Sequence, residues 1–476
     1  MMSVQTCTAA MAQSYYEADN YYTRDAGLQD EWQGRLAQDL GLDGKTVDPA
    51  EFQKMLDQGD KCAAYDCTFS APKSVSILAE CGDPEQSADM LAAHREAVEA
   101  TLKDMEAKEI GTRVRHPDGS RTWERTGNMA AAKFEHNVSR EADPQLHTHT
   151  VILNRTDYAG EMYAIDGRRL FATQNIYGAE YRARLAENLM QRGYFIHVTD
   201  HENGFFELDG IEQKTLDHFS KRRAEILAEM EKNGEHGAAA AQRANLATRH
   251  AKEHIDINEK RAEWRAELAE MQQDLPHRQE LKPADFAAER QAAYADAVHE
   301  LQYKSFAFTQ KELEEAVIQR GVSCGMTRDR AQQLINSDRD LFKATTPPDL
   351  VEAKEGTIYY TTRHNLEQEA DIYRMCEGGK NKLHGLSREQ VSRSISEVEA
   401  SPEWAGKGWK LKEEQSNLVH HIAESNDRVI AVRGLAGTGK SFSLNAAREV
   451  LERNGYEVRA WQRQDKLRRS WPKMLI

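Results

Sequence analysis

Apolar and polar positions alternate in four short runs within the first 210 residues: "AAYDCTFSAP" from Ala63, "GNMAAAKFEHN" from Gly127, "QLHTHTVILN" from Gln145 and "GYFIHVTD" from Gly193. A period of two, in runs bounded by Gly, Pro, Asn or Asp, predicts half-buried strands. Between the first two, "SADMLAAHREAVEATLKDMEAK" (87–108) repeats its apolar residues at helical spacing. This order fits an α+β domain with an antiparallel sheet better than strict βαβ alternation.

From Glu212 to about Tyr303 the chain turns to Ala, Glu, Lys and Arg. There "KRRAEILAEMEK" and "EKRAEWRAELAEM" predict helices with one solvated face. "NGEHGAAAAQ" (233–242) reads as a flexible connection between them. A second region opens near Phe306, where Thr309 and a following Glu predict a capped helix over "QKELEEAVIQR". A third opens with the strand-like "RVIAVR" (428–433), a glycine-rich loop and a further helix. The expected division is therefore 1–300, 301–410 and 411–476.

Length and composition narrow the classes. At 476 residues the chain is too long for one core. There is no apolar run of membrane-spanning length and no basic-then-apolar leader, so neither membrane insertion nor export is expected. Six cysteines lack a CxxC pair and read as free thiols of a reducing cytoplasm. The formal charge of −15 argues against bulk electrostatic binding of nucleic acid. A DNA role would need a local site.

One candidate site is "KFEHNVSREADPQLHTHTVILN" (133–154). His147 and His149 alternate on a predicted strand, so both rings project from one face. His136 ends the preceding run, and the polar residues between can turn the chain back and lay it beside them. Three neutral imidazoles on adjacent strands can hold a divalent metal with coordination positions left open. Such ligands suit Mn, Zn, Ni or Co better than Mg, which prefers oxygen. The metal would bind non-bridging oxygens of a phosphodiester, and the reaction would still need a nucleophile. "SYYEADNYY" (14–22) supplies four phenols, Tyr15, Tyr16, Tyr21 and Tyr22. Each is a weak nucleophile until a base or a metal field activates it.

Together "SYY…NYY", "YDCTFSAPKSVS", "TGN" and "FEHNVSREADPQLHTHTVILN" resemble the MobF class of conjugative relaxases, which are HUH endonucleases. The resemblance runs from about Met1 to Glu270. It implies an HUH-type antiparallel sheet flanked by helices, and nicking and strand transfer on single-stranded DNA at a plasmid transfer origin. Tyr15 would attack the scissile phosphate to give a 5′-phosphotyrosine and a free 3′-hydroxyl, and Tyr21 would serve a second transfer. Tyr16 and Tyr22 are then expected to be structural. His136, His147 and His149 match the metal ligands, for Mg²⁺ or Mn²⁺ with Zn²⁺ or Ni²⁺ as alternatives. Asp66 matches the acidic residue beside them, either orienting a histidine or taking the phenol proton, with orientation preferred. Arg140 and Lys73 are candidate phosphate contacts. Relaxosome accessory proteins and a type IV secretion coupling protein are the implied partners, in a bacterial cytoplasm. A rolling-circle replication initiator and a non-catalytic DNA-binding remnant are the competing readings.

"GLAGTGKS" fits the phosphate-binding loop GxxxxGK[ST], with Gly434, Gly437, Gly439, Lys440 and Ser441 around the phosphates of ATP. Gln415 resembles the adenine-reading glutamine of superfamily 1 helicases. A mostly helical linker would join the relaxase to this RecA-like α/β unit. Only 35 residues follow Ser441, so the unit is expected to be incomplete and without helicase activity.

Overall fold

The computed structural model describes residues 2–12, 30–57, 62–139, 141–248, 256–280, 285–344, 357–434 and 437–459. They form two compact units, Met1–Thr362 and Arg363–Ile476.

The first unit is organised by a five-stranded antiparallel sheet. Its strands are β1 (Met2–Cys7), β2 (Asp30–Gln33), β3 (Ala64–Ser70), β4 (Ala131–Val138) and β5 (Pro144–Leu153), in the order β1-β3-β5-β4-β2. The alternating runs quoted above became β3, β4 and β5, and the fourth gave Ile196–Asp200 of a separate hairpin. On one face Phe69, Leu146 and Ile152 are buried under α1 (Lys73–Cys81), α2 (Pro84–Glu109) and α3 (Arg168–Gln191). Asp83 caps α2 in a reciprocal box with Gln86, and Pro84 follows it, so the start of this helix is set locally. On the other face Phe134, Val151 and Leu153 pack with Trp32, Phe52 and Leu56. Among the described residues, that second core covers only part of its face, and His136, His147 and His149 stand at its other end.

Described residues between 285 and 344 and at 357–362 pack against α3. Leu313, Val317, Ile318 and Ile335 are buried with Ile176 and Ala179. The composition shift near Phe306 is thus not a packing boundary, and Phe308 itself lies in this core. Arg328 fastens the join. Its guanidinium donates to Glu109 Oε1 at 2.6 Å, Glu314 Oε2 at 2.8 Å and the Tyr177 hydroxyl at 2.8 Å. The helix expected after Thr309 is present, with the reciprocal Thr309–Glu312 box.

Two local expectations are corrected. "NGEHGAAAAQ" is not wholly a connection, because Ala238–Ala247 is helical; a run of alanines has the strongest intrinsic helix preference and Gly237 frees the turn before it. "RVIAVR" forms no strand, and Val429 is 47% exposed. No strand occurs among the described residues of the second unit. Among the described residues the run has no neighbouring strand, and a strand without a neighbour has nowhere to place its backbone hydrogen bonds. That unit is built of helices instead, with Val391, Trp404, Val419 and Val450 in its core. No described helix is long and apolar enough to cross a membrane.

The Arg328 join gives a direct stability test. Glu109 and Glu314 are almost wholly buried beside it. Arg328→Ala leaves both carboxylates without this partner and should cost about 3–5 kcal/mol, read as a lower urea midpoint of the first unit.

Candidate metal centre

The pairing of β4 with β5 builds the centre. His136 lies opposite His147, and Phe134 opposite His149, in antiparallel register. On the other side of β5, Thr68 of β3 lies opposite His149 and Ser70 opposite His147. The pleat then turns His136, His147, His149, Asp66 and Thr68 to one face. The ring centroids of the three histidines are 5.1, 5.1 and 5.3 Å apart. One nitrogen from each ring falls within 4.8 Å of the others.

Hydrogen bonds fix which nitrogens face inward. His147 Nδ1 is 2.7 Å from the Gln145 carbonyl, which only accepts, so this nitrogen carries the proton. His149 Nδ1 lies 2.9 Å from Asp66 Oδ2 and donates to that carboxylate. In both rings Nε2 is therefore the nitrogen that can serve as a ligand, and an imidazole held in one tautomer through its other nitrogen is what a divalent cation requires. The donor set therefore fits such a cation.

Asp66 is fully buried. Besides His149 it accepts from Gln5 Nε2 at 2.9 Å and from Thr68 Oγ1 at 3.2 Å. A carboxylate held by three donors, Gln5, Thr68 and His149, each on a different strand, is placed to orient, which favours the first of its two expected roles. Gln5 and Thr68 were not read from sequence; their contribution depends on strand register, which spacing alone does not reveal.

A second support lies beneath the sheet. Thr148, between the two β5 histidines, faces the helices, and its hydroxyl is 2.8 Å from His94 Nε2. His94 Nδ1 in turn meets the Tyr181 hydroxyl at 2.8 Å. Burial, reinforced by His147, pushes the His94 pKa down to about 3, so it stays neutral and acts as a hydrogen-bonding spacer.

The remaining expected residues divide. Tyr15, Tyr16, Tyr21, Tyr22 and Arg140 lie outside the described residues. Lys73 opens α1, and its ammonium donates to the Pro144 carbonyl at 2.7 Å. Burial pushes its pKa down to about 8, against the pull of Asp143 and Glu207. It is a weaker candidate for a permanent phosphate contact than its charge alone suggested.

In the second unit, Gly437 and Gly439 stand at φ +80° and +84°, where a side chain is strained. A Cβ at Gly439 would also meet Gln415 Nε2 at 2.5 Å. Gln415 donates to the Thr438 carbonyl at 3.5 Å, so it lies beside the loop. Lys440 donates to the Gly434 carbonyl, and Ser441 sits exposed in the first turn of the helix Lys440–Arg453. Leu435 and Ala436 lie outside the described residues.

An antiparallel sheet that presents three histidines from paired central strands, with helices behind it, is the HUH-type architecture that the sequence resemblance implied. The family profile of the TrwC relaxase matches residues 9–271, more than half of the chain, and the chain belongs to that family. A profile described as an AAA domain matches residues 410–467. The multifunctional conjugation protein TraI of Escherichia coli K12 is 33% identical over 300 residues, which are 58% of this chain and 16% of TraI. A probable conjugal transfer protein TraA of Sinorhizobium fredii is 32% identical over 100 residues, 21% of this chain and 8% of that protein. The chain thus spans a small part of the length of these relatives. Among solved structures, the conjugative relaxase TrwC in a metal-bound complex with oriT DNA superposes with a TM-score of 0.52 at 34% identity. A copper-bound TrwC complex with oriT DNA gives 0.53 at 34%. Each covers 58% of this chain and all of the TrwC chain.

Removing the Asp66 carboxylate tests its assignment. Asp66→Ala should weaken Mn²⁺ binding about 10- to 100-fold by calorimetric titration, with the circular dichroism spectrum retained.

Proposed function

We propose that this chain nicks one DNA strand at a plasmid transfer origin and rejoins it by strand transfer, initiating conjugation. The observation that carries the reading is the histidine cluster with its buried Asp66 partner, on a sheet whose family includes DNA-bound relaxases. A divalent cation held by His136, His147 and His149 would stabilise negative charge on the non-bridging phosphate oxygens. Mg²⁺ or Mn²⁺ is proposed, with Zn²⁺ or Ni²⁺ as alternatives.

Tyr15 is the proposed nucleophile. Its phenolic oxygen, losing its proton, bonds to phosphorus as the bond to the 3′ oxygen of the preceding nucleotide breaks. That oxygen takes up a proton and leaves as a 3′-hydroxyl. The tyrosyl diester conserves the energy of the broken linkage, so a 3′-hydroxyl can reverse the step without nucleotide hydrolysis. Tyr21 would serve the second transfer.

The net charge of −15 requires a local cationic surface for DNA. The hairpin formed by Gly111–Arg115 and Arg121–Arg125 offers Arg115, Arg121 and Arg125 exposed, with Trp123 between them and Arg169 stacked 4.1 Å over its ring. Arginines beside an aromatic face suit phosphate contact and base stacking. Arg140 is proposed to join them, and Lys73 to contribute at most weakly.

By role, we assign 1–300 to relaxase chemistry, 301–410 to a helicase-associated region and 411–476 to part of a superfamily 1 unit that binds ATP through Gly434, Gly437, Gly439, Lys440, Ser441 and Gln415. These are roles and not packing units. Relaxosome accessory proteins and a type IV secretion coupling protein are the proposed partners, in the bacterial cytoplasm.

Incubating the chain with Mn²⁺ and single-stranded oligonucleotides tiling the parent plasmid's transfer origin should give a covalent protein–DNA adduct on a denaturing gel. Tyr15→Phe or EDTA should abolish it. An absent adduct, or equal adduct from Tyr15→Phe, rejects the proposal.

A further inference from the structure

The connection between β4 and β5 joins the strands that carry His136 and His147, and it is gripped from three directions. Ala142 stands at φ 56°, in the left-handed region that a residue with a Cβ adopts only under constraint. The indole Nε1 of Trp264, fully buried in α4 (Ile257–Glu270), donates to the Ala142 carbonyl at 3.1 Å. From α1, Lys73 donates to the next carbonyl but one, that of Pro144, at 2.7 Å. Between them Asp143, 1% exposed, accepts the backbone N–H of Lys221 at 2.8 Å.

This last bond is a helix cap supplied from outside. Lys221 is the first residue of the helix Lys221–Lys232, and its own N-cap residue, Ser220, makes no side-chain cap bond. The Asp143 carboxylate fills that role, where the helix dipole also favours negative charge. Separately, α4 reaches β4 through Glu80 of α1, which accepts from Arg261 Nε at 2.9 Å and from Asn137 Nδ2 at 3.1 Å. Asn137 is the neighbour of His136. The strand pairing is irregular between His136 and Val138, so the ladder alone does not hold this end of the hairpin.

We infer that Trp264 and Asp143 are positioning residues for the histidine triad: they tie the β4–β5 connection to the helices of 213–270 and so set the separation of His136 from His147. The inference rests on reading those histidines as ligands of a divalent cation. The helices that composition marked as having one solvated face then form part of the support of the centre.

The test uses the full chain, with Co²⁺ as probe and its d–d absorption as a signature of ligand geometry. Wild type should bind Co²⁺ in a manner lost in His147→Ala. Trp264→Phe keeps the buried ring and loses the N–H; Asp143→Ala loses the cap. Each should weaken Co²⁺ binding about 5- to 10-fold, toward the range seen when outer supports of a metal ligand are removed, and shift the absorption bands. Asp143→Asn keeps an oxygen that accepts from Lys221 and should restore affinity and bands. Affinity within about twofold of wild type with unchanged bands in Trp264→Phe and Asp143→Ala overturns the inference, as does an Asp143→Asn variant as weak as Asp143→Ala. Should Trp264→Phe fail to fold, the Asp143 pair decides. Wild-type Co²⁺ binding that survives His147→Ala would instead overturn the reading of the triad itself.

Discussion

The register of β4 against β5 is the constraint on which the centre depends. Opposite residues in an antiparallel pair share a face, so placing His136 across from His147 makes one cluster of three rings from two strands. A slip of one residue would send His147 and His149 under the helices and bring Thr148 to the outer face. The apolar residues enforce the register, because Leu146 and Ile152 belong to one core while Val151 and Leu153 belong to the other. The same alternation that folds the sheet therefore aims the imidazoles.

Each face then supplies a different kind of support. On the outer face Asp66, itself held by Gln5 and Thr68, fixes the tautomer of His149. Beneath, the neutral His94 links Thr148 to Tyr181 and so joins β5 to α2 and α3. At the hairpin end, the connection is held by residues from α1, α4 and the helix Lys221–Lys232. A cluster built on strands and supported from three sides is preorganised, which limits the rearrangement needed to hold a cation and a phosphate in line.

Much of this was legible in the chain. Histidines two apart on an alternating run, a third on the run before and a polar turn between them led to the cluster without further information. Thr309 with Glu312 and the GTGKS loop were equally local signals, since each depends on residues within a turn of one another. What stayed hidden is long-range. Gln5 and Asp66 are 61 residues apart and meet only through the β1–β3 pairing. Arg328 reads as one more surface charge until Glu109 is brought beside it across 219 residues. The Arg428–Arg433 run misled for the converse reason: its pattern suits a strand, but a strand needs a neighbour as well, and none stands beside it among the described residues.

In the proposed centre His136, His147 and His149 jointly hold one divalent cation through inward-facing nitrogens. The most direct measurement is an anomalous difference map from crystals of the chain grown with Mn²⁺. A single strong peak is expected at coordination distance from the Nε2 atoms of His147 and His149 and from one nitrogen of His136, with Asp66 still bonded to His149 Nδ1. No peak at the cluster at saturating Mn²⁺, or a peak bound through Nδ1 of His149 with the Asp66 contact broken, would contradict it.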